Sequence, residues 1–139
     1  MRIMAIDYGD AHTGIAISDP TGFLAGFTTT IDAYRPEVVA DRIAALAKEH
    51  GVEELVLGYP KNMDGSLGPR AEKAEAMAAL LEASTSLPVV LWDERRTTID
   101  AHQILFNSGK NAKKRKKVVD AVAATLILEG YLTYKKHHG

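Results

Sequence analysis

The sequence predicts an α/β fold in which helices flank a mixed sheet of five strands. Three apolar runs joined by short links occupy the first 31 residues, and their alternating pattern is that of strands. From Pro36 onward the apolar period becomes helical, and two further apolar runs alternate with helical segments. Strands of a meander pair antiparallel, whereas strands joined through helices pair parallel. Both kinds of pairing are therefore expected in one sheet.

The first three strands are predicted at Arg2–Asp7, Thr13–Ser18 and Phe23–Ile31. In the second strand Ile15 and Ile17 alternate with small residues, as in a strand with one buried face. The third contains three consecutive threonines, whose branched side chains suit a pleated surface. The short links between these strands predict an antiparallel meander.

The first two helices alternate with the fourth and fifth strands. Pro36 suits the first turn of a helix, and Gly51 ends it. The segments "ELVLGY" and "PVVLWDE" are the fourth and fifth strands, and the apolar character of the fifth is typical of a strand covered on both faces. The helix between them presents an apolar face. That face consists of Ala74, Met77, Ala78 and Leu81.

Two helices are expected after the fifth strand. Thr97 resembles an N-cap, and the helix it begins should continue to Gly109. The final helix should run from about Lys113 to Tyr134. Its predicted buried side is Val119, Val122, Leu126 and Ile127.

The composition is typical of a globular protein and excludes several classes of function. The 139 residues suit a single domain, 1–139, and no apolar stretch approaches the roughly 20 residues needed to span a bilayer. There are no cysteines, so disulfides and thiolate metal sites are excluded, and the absence of a signal peptide makes the cytoplasm the expected location. The net charge of -1 leaves no global basic field, so a nucleic acid would have to bind a local basic patch.

Carboxylates at the strand ends are the candidate catalytic groups. Asp7 ends the first strand, while Asp93 and Glu94 end the fifth. Because the carboxyl ends of parallel strands meet at one edge, these groups should share a rim, although alternation does not choose between Asp93 and Glu94. Asp120 lies among small apolar residues of the last helix. Converging carboxylates without His or Cys suit one or two Mg²⁺ or Mn²⁺ ions and phosphodiester hydrolysis.

Each carboxylate also has a structural interpretation. Asp7 precedes a glycine turn and could cap it. Glu94 is followed by Arg95 and could form a surface ion pair with it. Asp120 could pair with Lys116 or Lys117 one turn earlier in its helix. The catalytic interpretation is favoured because all three fit one edge of one fold.

Four collinear motifs closely resemble the RuvX (YqgF) family of ribonuclease H-like proteins: "DYG…GIAISD", "GYPKNMDGSLGPRA", "WDERRTT" and "DAVAATLIL". The resemblance implies a ribonuclease H-like fold and an acidic triad of Asp7, Glu94 and Asp120. It also implies a nuclease that matures the 5′ end of precursor 16S ribosomal RNA. An older interpretation makes family members Holliday junction resolvases. The chain departs from the family at His12, where many members carry a basic residue, so His12 is expected to be a weaker phosphate contact.

Basic and polar residues near this edge are the expected nucleic-acid contacts. Lys61 and Asn62 lie in the loop after the fourth strand, Arg70 begins a helix, and Arg95 follows Glu94. The basic run before Asp120 should steer RNA to the site, in a salt-dependent manner. That run consists of Lys113, Lys114, Arg115, Lys116 and Lys117.

The sequence leaves three other functions open. A nuclease for branched DNA would act as a homodimer, whereas an RNA nuclease could be a monomer. The segment "DYGDAHTG" also resembles the first phosphate loop of actin-like ATPases, although those proteins use two such domains. A noncatalytic RNA-binding factor would use the basic run alone.

Overall fold

Five strands form one sheet in the order β3-β2-β1-β4-β5. The computed structural model describes residues 1–22, 25–60, 68–93 and 112–138, with the backbone alone for 112–120, 137 and 138. The strands are β1 Arg2–Asp7, β2 His12–Ser18, β3 Ala25–Asp32, β4 Val52–Tyr59 and β5 Val89–Asp93.

The sheet is mixed, as the sequence predicts. β1 pairs antiparallel with β2, and β2 pairs antiparallel with β3, which is the expected meander. β4 pairs parallel with β1 on one side and with β5 on the other, so that Ile6 lies opposite Leu57 and Leu57 opposite Leu91. The carboxyl ends of β1, β4 and β5 consequently lie along one edge of the sheet.

Three helices accompany the sheet in the described part of the chain. They are α1 Pro36–His50, α2 Pro69–Thr85 and α3 Ala112–His138. α1 has the predicted bounds because Pro36 occupies its first turn and Gly51 follows it in the left-handed conformation, with φ of 66°. The Gly51 amide donates to the carbonyl oxygens of Ala47 and Lys48 and so caps the helix.

Each face of the sheet has its own hydrophobic cluster. On one face α1 and α2 cover alternate residues of β1, β2 and β4, including Ile6, Ile15 and Leu57. On the other face α3 covers the remaining alternate residues, including Ala5 and Val56. The small residues on the second face let the helix backbone approach the sheet closely.

Two details differ from the sequence prediction. β5 is the outer strand of the described sheet, and Leu91 is 40% exposed, so the strand is not covered on both faces. Of the four residues predicted for the buried side of α3, Ile127 is buried, whereas Val122 and Leu126 are half-buried and Val119 belongs to the part described by backbone alone. Compared with the prediction, the helix is rotated about its axis so that alanines face the sheet. Their small side chains permit the helix backbone to approach the sheet more closely. Its buried residues are Ala123, Ala124, Ile127, Leu128 and Tyr131.

The helix predicted between Thr97 and Gly109 lies outside the described residues. Among the helices of the described ranges, none has both the length and the apolar composition required to cross a bilayer.

Candidate functional site

Asp7 stands at the carboxyl end of β1 and lines a cavity of about 300 Å³. It is the last paired residue of its strand and lies opposite Gly14 of β2. The cavity walls come from the turn after β1, the end of β4 and the start of α2. A carboxylate following four fully buried residues therefore meets an open space rather than the core.

The turn after β1 is tight, and its shape depends on Gly9. A Cβ atom at Gly9 would lie 2.3 Å from the carbonyl oxygen of His12, closer than any real contact. The absence of a side chain thus lets the chain double back within a few residues. The turn carries Asp10 toward α2, where the Lys73 ammonium donates to its carboxylate at 2.9 Å.

Positive charge from the first turns of α2 borders the same cavity as Asp7. Arg70 and Lys73 both line the cavity, and the positive end of the α2 dipole adds to them. The hydrogen bond to Asp10 and the charge of that carboxylate raise the pKa of Lys73. The ammonium therefore stays protonated, and this wall of the cavity suits an anion such as phosphate.

Two tyrosines border the same edge and remain neutral at physiological pH. Burial raises the pKa of Tyr8, and the charge of Asp10 raises it further. The Tyr59 hydroxyl donates to the Glu75 carboxylate, which raises the pKa of Tyr59. Both phenols are therefore hydrogen-bond donors rather than anions.

Strand alternation separates Asp93 from Asp7. Ile3 and Ala5 belong to the cluster beneath α3, so Asp7, two residues further, lies on that same face. On β5 it is Val90 and Trp92 that pack against the α3 cluster. Asp93, the next residue, consequently lies on the opposite face of the sheet, away from Asp7.

The C-terminal half of α3 packs near the start of β1. Near its C-terminal end, the Tyr131 hydroxyl donates to Glu54 Oε1 at 2.8 Å, and Glu54 lies opposite Ile3. Position 120 is eleven residues before Tyr131, or about 16 Å along the helix. Ile3 and Asp7 are separated by about 13 Å along β1. A helix that ran along β1 would therefore bring position 120 to about the level of Asp7.

Two of the predicted site residues line the same cavity, namely Asp7 and Arg70. Asp120 and the basic run 113–117 belong to the first turns of α3, where the backbone alone is described. Four predicted residues lie outside the described ranges. They are Lys61, Asn62, Glu94 and Arg95.

The sequence analysis missed Lys73 as a cavity residue. Its spacing of three from Arg70 places both side chains on one helix face, and this signal could have identified it. Among the residues with described side chains, no three His, Cys, Asp or Glu lie close enough together to hold a metal ion. Asp7 is thus the described member of the predicted triad.

Comparison with known protein families gives full-length matches. A family model described as RuvX, Holliday junction resolvase, matches residues 1–134. A protein of Halothermothrix orenii named "Putative pre-16S rRNA nuclease" is 48% identical over 140 residues and covers 100% of both chains. A protein of Listeria monocytogenes serovar 1/2a with the same name is 48% identical over 134 residues, covering 95% of this chain and 97% of that one.

Comparison with solved structures confirms the fold. RuvC of T. thermophilus in complex with a Holliday junction substrate aligns with a TM-score of 0.65 at 13% identity, over 99% of this chain and 96% of that chain. The fowlpox virus resolvase bound to Holliday junction DNA aligns with a TM-score of 0.64 at 12% identity, over 97% and 99%. At these identities the likeness shows a common ribonuclease H-like architecture.

Proposed function

Since the chain belongs to the RuvX family, we propose that it is a metal-dependent nuclease acting on precursor 16S ribosomal RNA. Relatives that align over nearly the whole of both chains are named as such a nuclease. A protein of this function would work in the bacterial cytoplasm, and the absence of cysteine suits that compartment. The family match over residues 1–134 supports one domain, 1–139.

The observation that carries the proposal is the position of Asp7. A carboxylate at the end of a buried strand, in a cavity bordered by Arg70 and Lys73, is suited to a site where phosphate and a cation meet. A turn-capping role would explain the aspartate but not the cavity or the cationic wall. The geometry therefore favours the catalytic interpretation.

We assign the divalent cation, Mg²⁺ or Mn²⁺, to Asp7, Glu94 and Asp120. Hard oxygen donors fit either ion. Glu94 is preferred to Asp93 because Asp93 lies on the face of the sheet opposite Asp7. Asp120 is included because the resemblance to the family implies it and because a helix running along β1 would bring it to about the level of Asp7. When bound, one or two ions would activate water and stabilise the leaving oxygen.

The basic residues would hold and orient the substrate. Arg70 and Lys73 are placed to bind a phosphate at the cavity, where the α2 dipole also favours an anion. Arg95 would clamp the scissile phosphate beside Glu94. Lys61 and Asn62 would bind neighbouring phosphates. The run 113–117 would attract the RNA from a distance, because five cations at one helix start create a local positive field.

The test is cleavage of precursor 16S RNA by purified protein with Mg²⁺ or Mn²⁺. Asp7→Asn, Glu94→Gln and Asp120→Asn should each reduce the cleavage rate by about a thousandfold, because a metal ligand contributes several kcal/mol to transition-state stabilisation. The melting temperature should remain close to that of the unchanged protein. Chelation by EDTA should abolish cleavage, and added Mn²⁺ should restore it.

Matched controls come from neighbouring carboxylates. Asp93→Asn, on the opposite face, and Asp10→Asn, which pairs with Lys73, should each retain cleavage within about tenfold. If Asp93→Asn is inactive while Glu94→Gln cleaves normally, the ligand assignment is wrong. Intact RNA under every metal condition would contradict the nuclease function and favour the noncatalytic RNA-binding alternative.

A second candidate function is cleavage of four-way DNA junctions, favoured by the description of the matching family model. Such cleavage by a symmetric homodimer would give paired nicks in opposite strands. A synthetic junction assayed beside the RNA distinguishes the two substrates. The same samples, examined by light scattering, determine whether the active species is a monomer or a dimer.

A further inference from the structure

His12 and Asp32 form a hydrogen-bonded pair at the mouth of the cavity. The two residues lie opposite each other on β2 and β3. His12 Nδ1 is 2.8 Å from Asp32 Oδ1, and the side chains are 20% and 49% exposed. His12 also lines the cavity that contains Asp7. The hydrogen bond to Asp32 therefore holds the imidazole at Nδ1, while the residue lines the cavity of the candidate active site.

The strand register places the His12 ring on the same side of the sheet as Asp7. Asp7 lies opposite Gly14, and His12 is two residues before Gly14 on the same strand. Residues two apart project to one face and are separated by about 7 Å. Gly14 has no side chain to occupy the space between them. The sugar of a nucleotide whose phosphate is bound in the cavity beside Asp7 would thus lie within reach of the imidazole.

The pairing with Asp32 determines which nitrogen of His12 carries hydrogen. A carboxylate only accepts hydrogen bonds, so Nδ1 must donate and bears the proton. In the neutral ring, Nε2 is then an acceptor. Two acceptors cannot form a hydrogen bond with each other, which makes this nitrogen a poor contact for a phosphate oxygen. A hydroxyl group is a suitable partner.

We propose that His12 Nε2 accepts a hydrogen bond from a ribose 2′-hydroxyl beside the scissile phosphate, with Asp32 as the positioning residue. The 2′-hydroxyl is the group by which a protein distinguishes RNA from DNA at a given nucleotide. The contact would make His12 a specificity residue for RNA rather than a general phosphate contact. This inference rests on the nuclease function proposed above and deepens it by naming the substrate feature recognised.

The test is a double-mutant cycle between His12 and single 2′-hydroxyls. RNA oligonucleotides spanning one cleavage site carry a 2′-deoxy substitution at each of the two nucleotides flanking the scissile phosphate. With unchanged protein, one substitution should lower kcat/KM by about threefold to tenfold, the value of one hydrogen bond. His12→Ala should lower kcat/KM for the all-ribose substrate by a similar factor and cause no further loss on the deoxy substrate.

Two further variants separate positioning from structure. Asp32→Asn keeps an oxygen that accepts from Nδ1 and should preserve the preference for ribose. Asp32→Leu leaves the ring unheld and should reduce that preference without lowering cleavage of the deoxy substrate. Lys73→Gln is the matched cavity control, because loss of a phosphate contact should slow both substrates by the same factor.

The same cycle measured as binding to the Asp7→Asn protein is independent of cleavage. His12→Ala could instead lower kcat/KM, or weaken binding, by the same factor for the ribose and the deoxy substrate. In that case the 2′-hydroxyl contact is wrong, and His12 binds phosphate or supports the turn. A protein that binds with the predicted ribose preference but never cuts would contradict the nuclease function alone. Insensitivity of both kcat/KM and Kd to the 2′-deoxy substitutions would overturn the inference.

Discussion

At the scale of single residues, the surroundings of Asp7 explain why an acidic side chain ends a buried strand. The carboxylate leaves the core at the point where the sheet opens into a cavity with a cationic wall. A charge in the core would cost several kcal/mol, and the half-buried position at the open edge lowers that cost. The same edge gives a substrate access to the group.

Gly9 is the residue on which this arrangement most depends sterically. Gly9→Ala should destabilise the protein by about 2 kcal/mol, because its Cβ would overlap the His12 carbonyl and the turn would have to move. Cleavage should fall further than stability alone predicts, since the turn carries His12 and Asp10. Urea denaturation and kcat/KM of the same sample measure the two effects.

The control for that substitution is Gly51→Ala at the end of α1. Gly51 has φ of 66° but no atom within 4 Å of the added methyl group. It should cost about 1 kcal/mol from backbone strain and leave kcat/KM unchanged. Equal losses of activity in the two variants would show that the Gly9 turn has no special part in the site.

Single site residues could be predicted from the sequence where the residue type and its position in the pattern allow few structural explanations. Asp7 is recognisable because an apolar run ends on it, and Arg70 because it begins a helix near the same edge. Alternation in the run "PVVLW" does not choose between Asp93 and Glu94, and the choice of Glu94 comes from the resemblance to the family. The packing of Val90 and Trp92 against α3 adds that Asp93 lies on the face opposite Asp7. Lys73 was missed because its importance depends on its partner Asp10, which is 63 residues away.

At the scale of elements, α1 was predicted to its bounds, whereas α3 was predicted with the wrong buried face. Pro36 and Gly51 act locally and can be read from the sequence. α3 has apolar residues on most of its circumference, so the side that faces the sheet depends on the close approach at Ala123 and Ala124. Tertiary packing therefore decides the orientation of this helix.

The attachment of α3 to β4 through Tyr131 gives an alkaline pH dependence. Burial and the hydrogen bond to Glu54 raise the pKa of Tyr131. Its contribution to stability is fully present below pH 10, the unfolded value, and is lost as pH rises toward the higher folded value. The free energy of unfolding should therefore fall above pH 10, by up to about 1.4 kcal/mol per pH unit from this group.

Tyr131→Phe isolates this effect. At pH 7 it should cost about 1 kcal/mol through the lost hydrogen bond, and above pH 10 its stability should decline less steeply than that of the unchanged protein. Tyr34→Phe, at a side chain that is 80% exposed, should alter neither quantity. The free energy of unfolding, measured by denaturation at several pH values between 7 and 11, provides the comparison. If it falls equally steeply for Tyr131→Phe and the unchanged protein, Tyr131 does not cause the loss of stability at alkaline pH.

At the scale of the whole molecule, a net charge of -1 conceals a strong separation of charge. Acidic residues stand at the ends of β1 and β5, whereas five cations fall within the first turns of α3. The overall composition therefore says little about a polyanionic partner, because the basic run forms a local patch that the net charge does not reveal. The fold class itself was predictable, because the order of periodic segments determines how the strands pair.

The salt dependence of RNA binding should reveal this local field. Lys116→Gln with Lys117→Gln should weaken RNA binding and reduce the slope of log K against log salt by about 1.4, or 0.7 for each lost contact to a single strand. The paired change Lys48→Gln with Lys136→Gln removes the same charge from exposed sites at the ends of α1 and α3. It should leave the slope unchanged, and an equal reduction would indicate a diffuse charge effect.

The covering of one sheet face by α3 has a consequence for synthesis of the protein. Ile3, Ala5 and Val56 emerge from the ribosome early, yet the helix that buries them is the last described element to be translated. Contacts over such sequence separations form late and slow the final folding step. A growing polypeptide would therefore lack both its second hydrophobic layer and the proposed metal ligand Asp120 until translation is nearly finished, and we expect nascent chains that end before α3 to be inactive.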